Sequence, residues 1–263
     1  MSVPLAHRNF GGERQPPLVI LHGLLGSARN WATAGKMLAR SFDVFAVDLR
    51  GHGDSPPAPD RDYSFRALAS DVSAWVDTAG LVRPLLLGHS LGGKVAMRLA
   101  VDTPERWRGL VVSDVAPRDY PPHHLAAFDA MQALDLGKLT SRVQAEEFLR
   151  TRLADGNLAR FLLTNLVRED DGSFRWRVDV AGLAAALPQL GRSPLTPEEN
   201  YSGPALFVRG AKSDYIRETD QAAINTHCPR GQIVTLDNAG HNVHVDQPEA
   251  FTAAVEKFSE NLK

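Results

Sequence analysis

The sequence predicts an α/β fold, a mostly parallel central sheet flanked by helices with an inserted helical lid. Three observations carry that prediction. Six short apolar runs lack polar alternation, as strands covered on both faces do. Helical patterns separate most of them, the alternation that builds βαβ units. Each run also stops at a polar residue or glycine, the punctuation expected at a strand end.

In chain order, residues 18–21 form the first run and end at His22-Gly23. A helix is expected over 30–39, with Trp31, Ala34 and Leu38 on one side. Residues 44–47 form the second strand, closed by Asp48-Leu49-Arg50-Gly51-His52-Gly53. The next helix, 64–79, sets Leu68, Val72, Trp75 and Val76 on one face. Run 85–87 leads through Gly88 directly into a helix over 91–100. Runs 110–112, 206–208 and 233–236 complete the strands. A last helix, 248–262, opens on Pro248 and carries Phe251, Val255 and Phe258 on one face.

The alternation breaks once. Residues 116–202 show little strand pattern but four amphipathic helical segments, near 123–134, 143–153, 157–167 and 180–190. Pro117, Pro121 and Pro122 precede them; Pro194, Pro197 and Pro204 follow. A structureless loop of that length does not fit a compact domain. The expected division is a core of 1–116 and 203–263, with 117–202 as a helical lid.

Composition narrows the class. With 43% hydrophobic and 23% charged residues the chain is neither disordered nor fibrous. Twenty-nine basic against 31 acidic residues leave a net charge of −2, no footprint for nucleic acid. The longest uncharged stretch, 15–28, contains Pro16 and Pro17 and falls short of the roughly 20 residues of a membrane span, so no stable membrane insertion is expected. The first twelve residues lack the basic and apolar regions of a secretory leader. The single cysteine, Cys228, cannot form an internal disulfide, which suits a reducing, cytoplasmic setting.

The chemistry concentrates in Gly88-His89-Ser90-Leu91-Gly92, between a strand and a helix. A turn that tight leaves no room for side chains at Gly88 and Gly92, and it lifts the Ser90 hydroxyl above the sheet edge. A serine hydroxyl needs a base. Nine histidines are available. His22, His52 and His89 belong to strand ends and turns; His7, His123, His124 and His227 have no partner pattern. His241, in Asn238-Ala239-Gly240-His241 after the last strand, is the expected base, with His244 its rival. The orienting acid is Asp114 or Asp214, each just beyond a strand. The backbone N–H groups of Leu91 and Leu24, the latter in His22-Gly23-Leu24-Leu25-Gly26, are the expected oxyanion donors. The Asp48–Gly53 stretch is expected to be a structural turn with a buried Asp–Arg contact, too poor in ligands for a metal site. Phe128, Met131, Leu134, Phe148, Leu153, Phe161 and Leu162 are expected either to form the lid's own core or to line an acyl pocket. Trp176 and Tyr215 are read in the same way.

With these motifs the chain resembles the α/β-hydrolase superfamily over nearly its whole length. Within it, His22-Gly-Leu-Leu-Gly-Ser27, Gly88-His-Ser-Leu-Gly-Gly-Lys94 and Asp114-Val-Ala-Pro117 look like the small bacterial and mitochondrial esterases related to abhydrolase-domain proteins. That resemblance implies hydrolysis of short- to medium-chain acyl esters, in some members of acyl-CoA thioesters, without a cofactor. In the superfamily at large the acid follows the strand of 206–208, which favours Asp214. In the nearer group it is similar to the aspartate of an Asp-x-(Ala/Ser)-Pro segment, which selects Asp114. The expected function is therefore a serine carboxylesterase acting on a small-molecule acyl ester or thioester. The competing chemistries on the same frame are a thioesterase, a C–C hydrolase and a cofactor-free haloperoxidase. A ligand receptor that keeps the triad without catalysis is the alternative of another class.

Overall fold

The computed structural model describes residues 2–12, 15–121 and 124–262. Its main sheet has seven strands: β1 (His7–Asn9), β2 (Pro17–Leu21), β3 (Asp43–Val47), β4 (Leu85–His89), β5 (Gly109–Ser113), β8 (Ala205–Gly210) and β9 (Gly231–Leu236). Their order is β1-β3-β2-β4-β5-β8-β9. Only β1 runs antiparallel, pairing His7 with Val47; the other pairs are parallel, with Leu18 opposite Leu85 and Leu110 opposite Ala205. β1 has no apolar run because it is an exposed edge strand, and periodicity could not reveal it.

The unalternating runs have a direct explanation. Successive residues feed opposite buried faces: Leu18 and Ile20 one, Val19 and Leu21 the other. The first face is packed by α1 (Ala32–Leu38) and α10 (Pro248–Glu260), the second by α2 (Phe65–Thr78) and α3 (Leu91–Asp102). Each large aliphatic side chain so buried contributes about 1.5–3 kcal/mol relative to exposure. The short helix α9 (Val243–Asp246) leads into α10, and α8 (Gln221–His227), which carries no long apolar stripe, lies between β8 and β9. The helix expected over 30–39 begins as a 3-10 turn at Ala28–Trp31 before α1.

Between β5 and β8 lie α4 (Leu125–Ala133), α5 (Arg142–Arg152), α6 (Gly156–Leu163), the hairpin β6 (Leu166–Arg168) and β7 (Phe174–Trp176), and α7 (Val180–Leu190). The hairpin corrects the helix expected over 157–167, which stops at Leu163. Strands of three residues are too short to show a period of two. Pro122 and His123, at the expected start of α4, fall outside the described residues. The whole stretch shares one continuous apolar core with α2 and α3. Polar ties reinforce it: Asn165 Nδ2 donates to the Leu25 carbonyl at 2.8 Å, and the Tyr63 hydroxyl donates to Asp179 at 2.6 Å. Among the described residues no helix is long and apolar enough to cross a membrane.

The sheet also fixes where chemistry can occur. β2 and β4 are neighbours, yet the helices that follow them pack on opposite faces. Their outgoing loops therefore diverge and leave a crevice at the carboxyl ends of the strands. The loop of Leu24 and the turn of Ser90 both open there.

Candidate active site

Ser90 sits between β4 and α3 with φ 51° and ψ −116°, a left-handed conformation that a non-glycine residue adopts only under constraint. The constraint is visible on both sides. A Cβ on Gly88 would lie 2.1 Å from the Gly92 carbonyl oxygen, and one on Gly92 would lie 2.3 Å from that of Leu21. The N–H of Ser90 donates to the Ser113 carbonyl at 3.1 Å, which ties the turn to β5. Ser90 lines a largely apolar cavity of about 60 Å³ together with Leu24, Leu91, Val115, Tyr120, Leu187 and others. Among the described residues, no hydrogen bond engages the N–H of Leu24 or Leu91. Leu91 N–H belongs to the first turn of α3, where orphan donors and the helix dipole favour negative charge.

The loop bearing Leu24 is braced by His22. Its Nδ1–H donates to the Gly23 carbonyl at 2.8 Å, which leaves Nε2 to accept the Leu49 N–H at 3.0 Å. Burial lowers the imidazole to about 4, so the ring is neutral, as this bond pattern requires. The Asp48–Gly53 turn is structural, but its expected Asp–Arg contact is replaced by another. Asp48 accepts from the N–H groups of Ala28 at 2.6 Å and Asp54 at 2.9 Å. Arg50 instead forms a buried fork with Asp71 on α2, with Nη2 to Oδ1 at 2.8 Å. Spacing along the chain favoured Asp48; the fold brings α2 to the guanidinium.

The structure brings His241 and Asp114 together, with Nδ1 and Oδ2 2.8 Å apart. Asp114 is fully buried and also has a positive φ, 52°. Its Oδ1 accepts the Gly210 N–H at 3.1 Å, and its Oδ2 accepts the Ser213 hydroxyl in addition to His241. Three donors from two elements thus compensate a carboxylate that burial alone would disfavour. Asp214 lies exposed one residue beyond Ser213; its carbonyl accepts from Arg118 at 3.3 Å, and it makes no hydrogen bond to His241 among the described residues. His244 is buried and stacked on Trp31, with centroids 3.9 Å apart and planes 10° apart. Burial first, and His241 second, push it down to about 3.

Three residues around His241 have contacts that the sequence did not assign to them. Tyr215 stacks on its imidazole at 3.7 Å and 18°. His89 Nε2–H donates to the His241 carbonyl at 2.9 Å, joining the serine turn to the histidine loop. Ser213 supplies the hydroxyl to Asp114. Neither Tyr215 nor Ser213 belongs to a periodic element, and only His89 had a signal, its place inside the elbow. Phe128 and Met131 lie buried in the apolar core, and the cavity beside Ser90 is walled instead by Tyr120, Leu187 and Leu190. Among the described residues no group of three or more His, Cys, Asp or Glu side chains is placed to hold a metal ion.

Comparison with known proteins gives this geometry a context. A family model described as the α/β hydrolase fold matches residues 16–248. The chain is 38% identical to a mouse protein named sn-1-specific diacylglycerol lipase ABHD11, over 97% of this chain and 85% of the mouse one. It is 31% identical to Esterase YbfF of Escherichia coli, over 92% of each chain. Among solved structures, that of a marine microorganism esterase superposes with a TM-score of 0.93 at 32% identity, covering 98% of this chain and 100% of that one.

Proposed function

The chain belongs to the α/β-hydrolase family, and from that premise we propose that it is a serine carboxylesterase cleaving short- to medium-chain acyl esters. The observations that support this reading are Ser90 on a strained turn with two unengaged backbone donors at its cavity, and His241, tied to that turn through His89 and hydrogen-bonded to a buried aspartate. The names of the mouse, bacterial and marine relatives support ester hydrolysis.

In the proposed reaction, the Ser90 hydroxyl attacks the ester carbonyl while His241 Nε2 takes its proton. Asp114 holds Nδ1–H, fixing the tautomer and stabilising the imidazolium. The N–H groups of Leu24 and Leu91 receive the negative charge that forms on the carbonyl oxygen. Collapse expels the alcohol, which leaves with the proton from His241, and the acyl group remains on Ser90. Water then attacks by the same route, with His241 again as base, and releases the acid.

Residues 117–202 form the lid in this scheme, since their Tyr120, Leu187 and Leu190 wall the cavity. A cytoplasmic site of action is supported by the lone cysteine, a buried thiol pushed up to about 12 by desolvation.

A fluorophosphonate probe followed by peptide mass analysis tests the proposal. The adduct is expected on Ser90, with p-nitrophenyl ester turnover abolished in Ser90→Ala. Labelling elsewhere with Ser90 untouched would overturn it. Acyl-CoA substrates run beside the esters measure the ester-to-thioester preference.

A further inference from the structure

The wall of the serine cavity hangs on one buried ammonium. Lys94 lies one turn into α3, where its N–H donates to the Ser90 carbonyl at 3.1 Å. It is 4% exposed and lines the same cavity as Ser90. Its Nζ donates to three consecutive carbonyls, Leu190 at 3.0 Å, Gly191 at 3.0 Å and Arg192 at 2.6 Å. These close the C-terminus of α7, the end at which a helix gathers unpaired carbonyls and partial negative charge. The Tyr120 N–H donates to the same Gly191 carbonyl at 2.7 Å, and the Tyr120 ring lies 4.8 Å from Nζ. A single cation on the nucleophile helix therefore holds both segments that make the wall.

Behind that wall lies a second apolar groove of about 470 Å³. Leu125, Ala184 and Pro188 line it, and Tyr120, Leu187 and Gly191 face both it and the serine cavity. The serine cavity itself is much the smaller of the two, at about 60 Å³. The two spaces are thus separated by the thickness of three residues.

We propose that Lys94 determines acyl-chain length: its ammonium pins the wall of Tyr120, Leu187 and Gly191, so short acyl groups fill the serine cavity and longer chains reach the outer groove only when the wall moves. The proposal rests on the esterase reading above and names the chain-length control of that same site.

The pin is sensitive to pH. Burial lowers Lys94 to about 7, with Asp119 opposing and Arg118 adding to the shift. The other titratable or charged groups around it are Tyr120, His124 and Tyr215 on the cavity and Arg192, which is paired with Asp119 at 3.3 Å. Below that value three N–H donors meet three carbonyls; above it a neutral amine has two. The wall loosens as pH rises.

The test measures kcat/KM for p-nitrophenyl acetate and octanoate between about pH 6 and 9, in wild type, Lys94→Met, Lys94→Arg and Leu187→Ala, beside fluorophosphonate labelling of Ser90. Lys94→Met and Leu187→Ala are expected to raise the octanoate-to-acetate ratio by about tenfold or more. The wild-type ratio rises with pH as Lys94 loses its proton, while any pH dependence common to both substrates cancels. In Lys94→Met the ratio is high and flat; in Lys94→Arg, which keeps its charge throughout, it is low and flat. Labelled, folded Lys94→Met and Leu187→Ala with the wild-type ratio would overturn the proposal. Should Lys94→Met fail to fold, an unchanged ratio in Leu187→Ala together with a flat wild-type profile overturns it equally. Wild type that does not label at Ser90 removes the esterase reading and this proposal with it, a result distinct from labelled enzyme with unaltered selectivity.

Discussion

Tyr215 lies flat against His241, its ring centroid 3.7 Å from that of the imidazole and the planes 18° apart. Its own position is set from the other side, where the Tyr120 hydroxyl donates to the Tyr215 carbonyl at 2.6 Å and the Tyr120 ring stacks at 5.4 Å. Asp114 holds one edge of the imidazole and Tyr215 holds its face, so the ring has little freedom to turn.

Removing that face should loosen the imidazole. Tyr215→Ala is expected to lower kcat by about tenfold, since small displacements of a catalytic group are costly. Tyr215→Phe keeps the ring and should stay within about twofold. Steady-state kinetics on a short ester reads both. Equal losses in the two variants would shift the role from the ring to the hydroxyl.

The two aspartates should separate sharply. Asp114→Asn replaces an acceptor of three hydrogen bonds and removes the carboxylate that faces Nδ1. A kcat loss of about 10³–10⁴ is expected, by analogy with the same change in serine proteases. Asp214→Asn alters an exposed side chain and should change kcat by less than about twofold. The reverse ordering of losses would reassign the acid.

Arg50 and Asp71 are each 1% exposed and bond each other through two atom pairs. Asp71 also accepts the Val3 N–H at 2.8 Å. Removing either partner strands a buried charge, so Arg50→Met or Asp71→Asn should cost about 3–5 kcal/mol. Urea unfolding measures this. Because the pair touches none of Ser90, His241 or Asp114, kcat of the folded variant should hold; a selective fall in kcat with unchanged stability would contradict the structural role.

Acid should destabilise the fold before the carboxylates titrate. Burial lowers His22 to about 4 and His52 and His244 to about 3, and it pushes His89 well down too. Each stays neutral in the fold but binds a proton once unfolded, near the ordinary value of 6.5. Their folded values are lower than the unfolded ones, so the stability they confer is complete above about pH 6.5 and declines as pH falls toward 4. Each contributes a slope of about 1.4 kcal/mol per pH unit across that window. Unfolding free energies at about pH 7 and 5 should differ by several kcal/mol; a flat profile there would mean that these rings are solvated in the native state.

What was legible in the sequence was what is local along the chain. Gly88-x-Ser90-x-Gly92 encodes its turn by steric need within five residues, and unalternating runs report two covered faces because strand side chains alternate by bond geometry. The place of His241 after the last strand follows from chain order in the same way. Short edge elements escaped: β1 and the β6–β7 hairpin have three residues per strand, fewer than a period needs.

Contacts between distant segments had no such signature, and only the tertiary structure decided them. By position along the chain Asp114 and Asp214 are equivalent, each a short step beyond a strand, and only the resemblance of Asp114-Val-Ala-Pro117 to the nearer esterases favours Asp114. They differ in space because the chain at Asp114 turns left-handed under Gly210 and Ser213, directing its carboxylate to His241, while Asp214 follows into solvent. Arg50 likewise pairs across 21 positions with Asp71 rather than with the nearby Asp48, and Lys94 reaches across 96 to 98 positions to the end of α7. A buried charge is satisfied by whichever partner the packed elements bring within hydrogen-bond reach, and that is a property of the assembled layers rather than of neighbours along the chain.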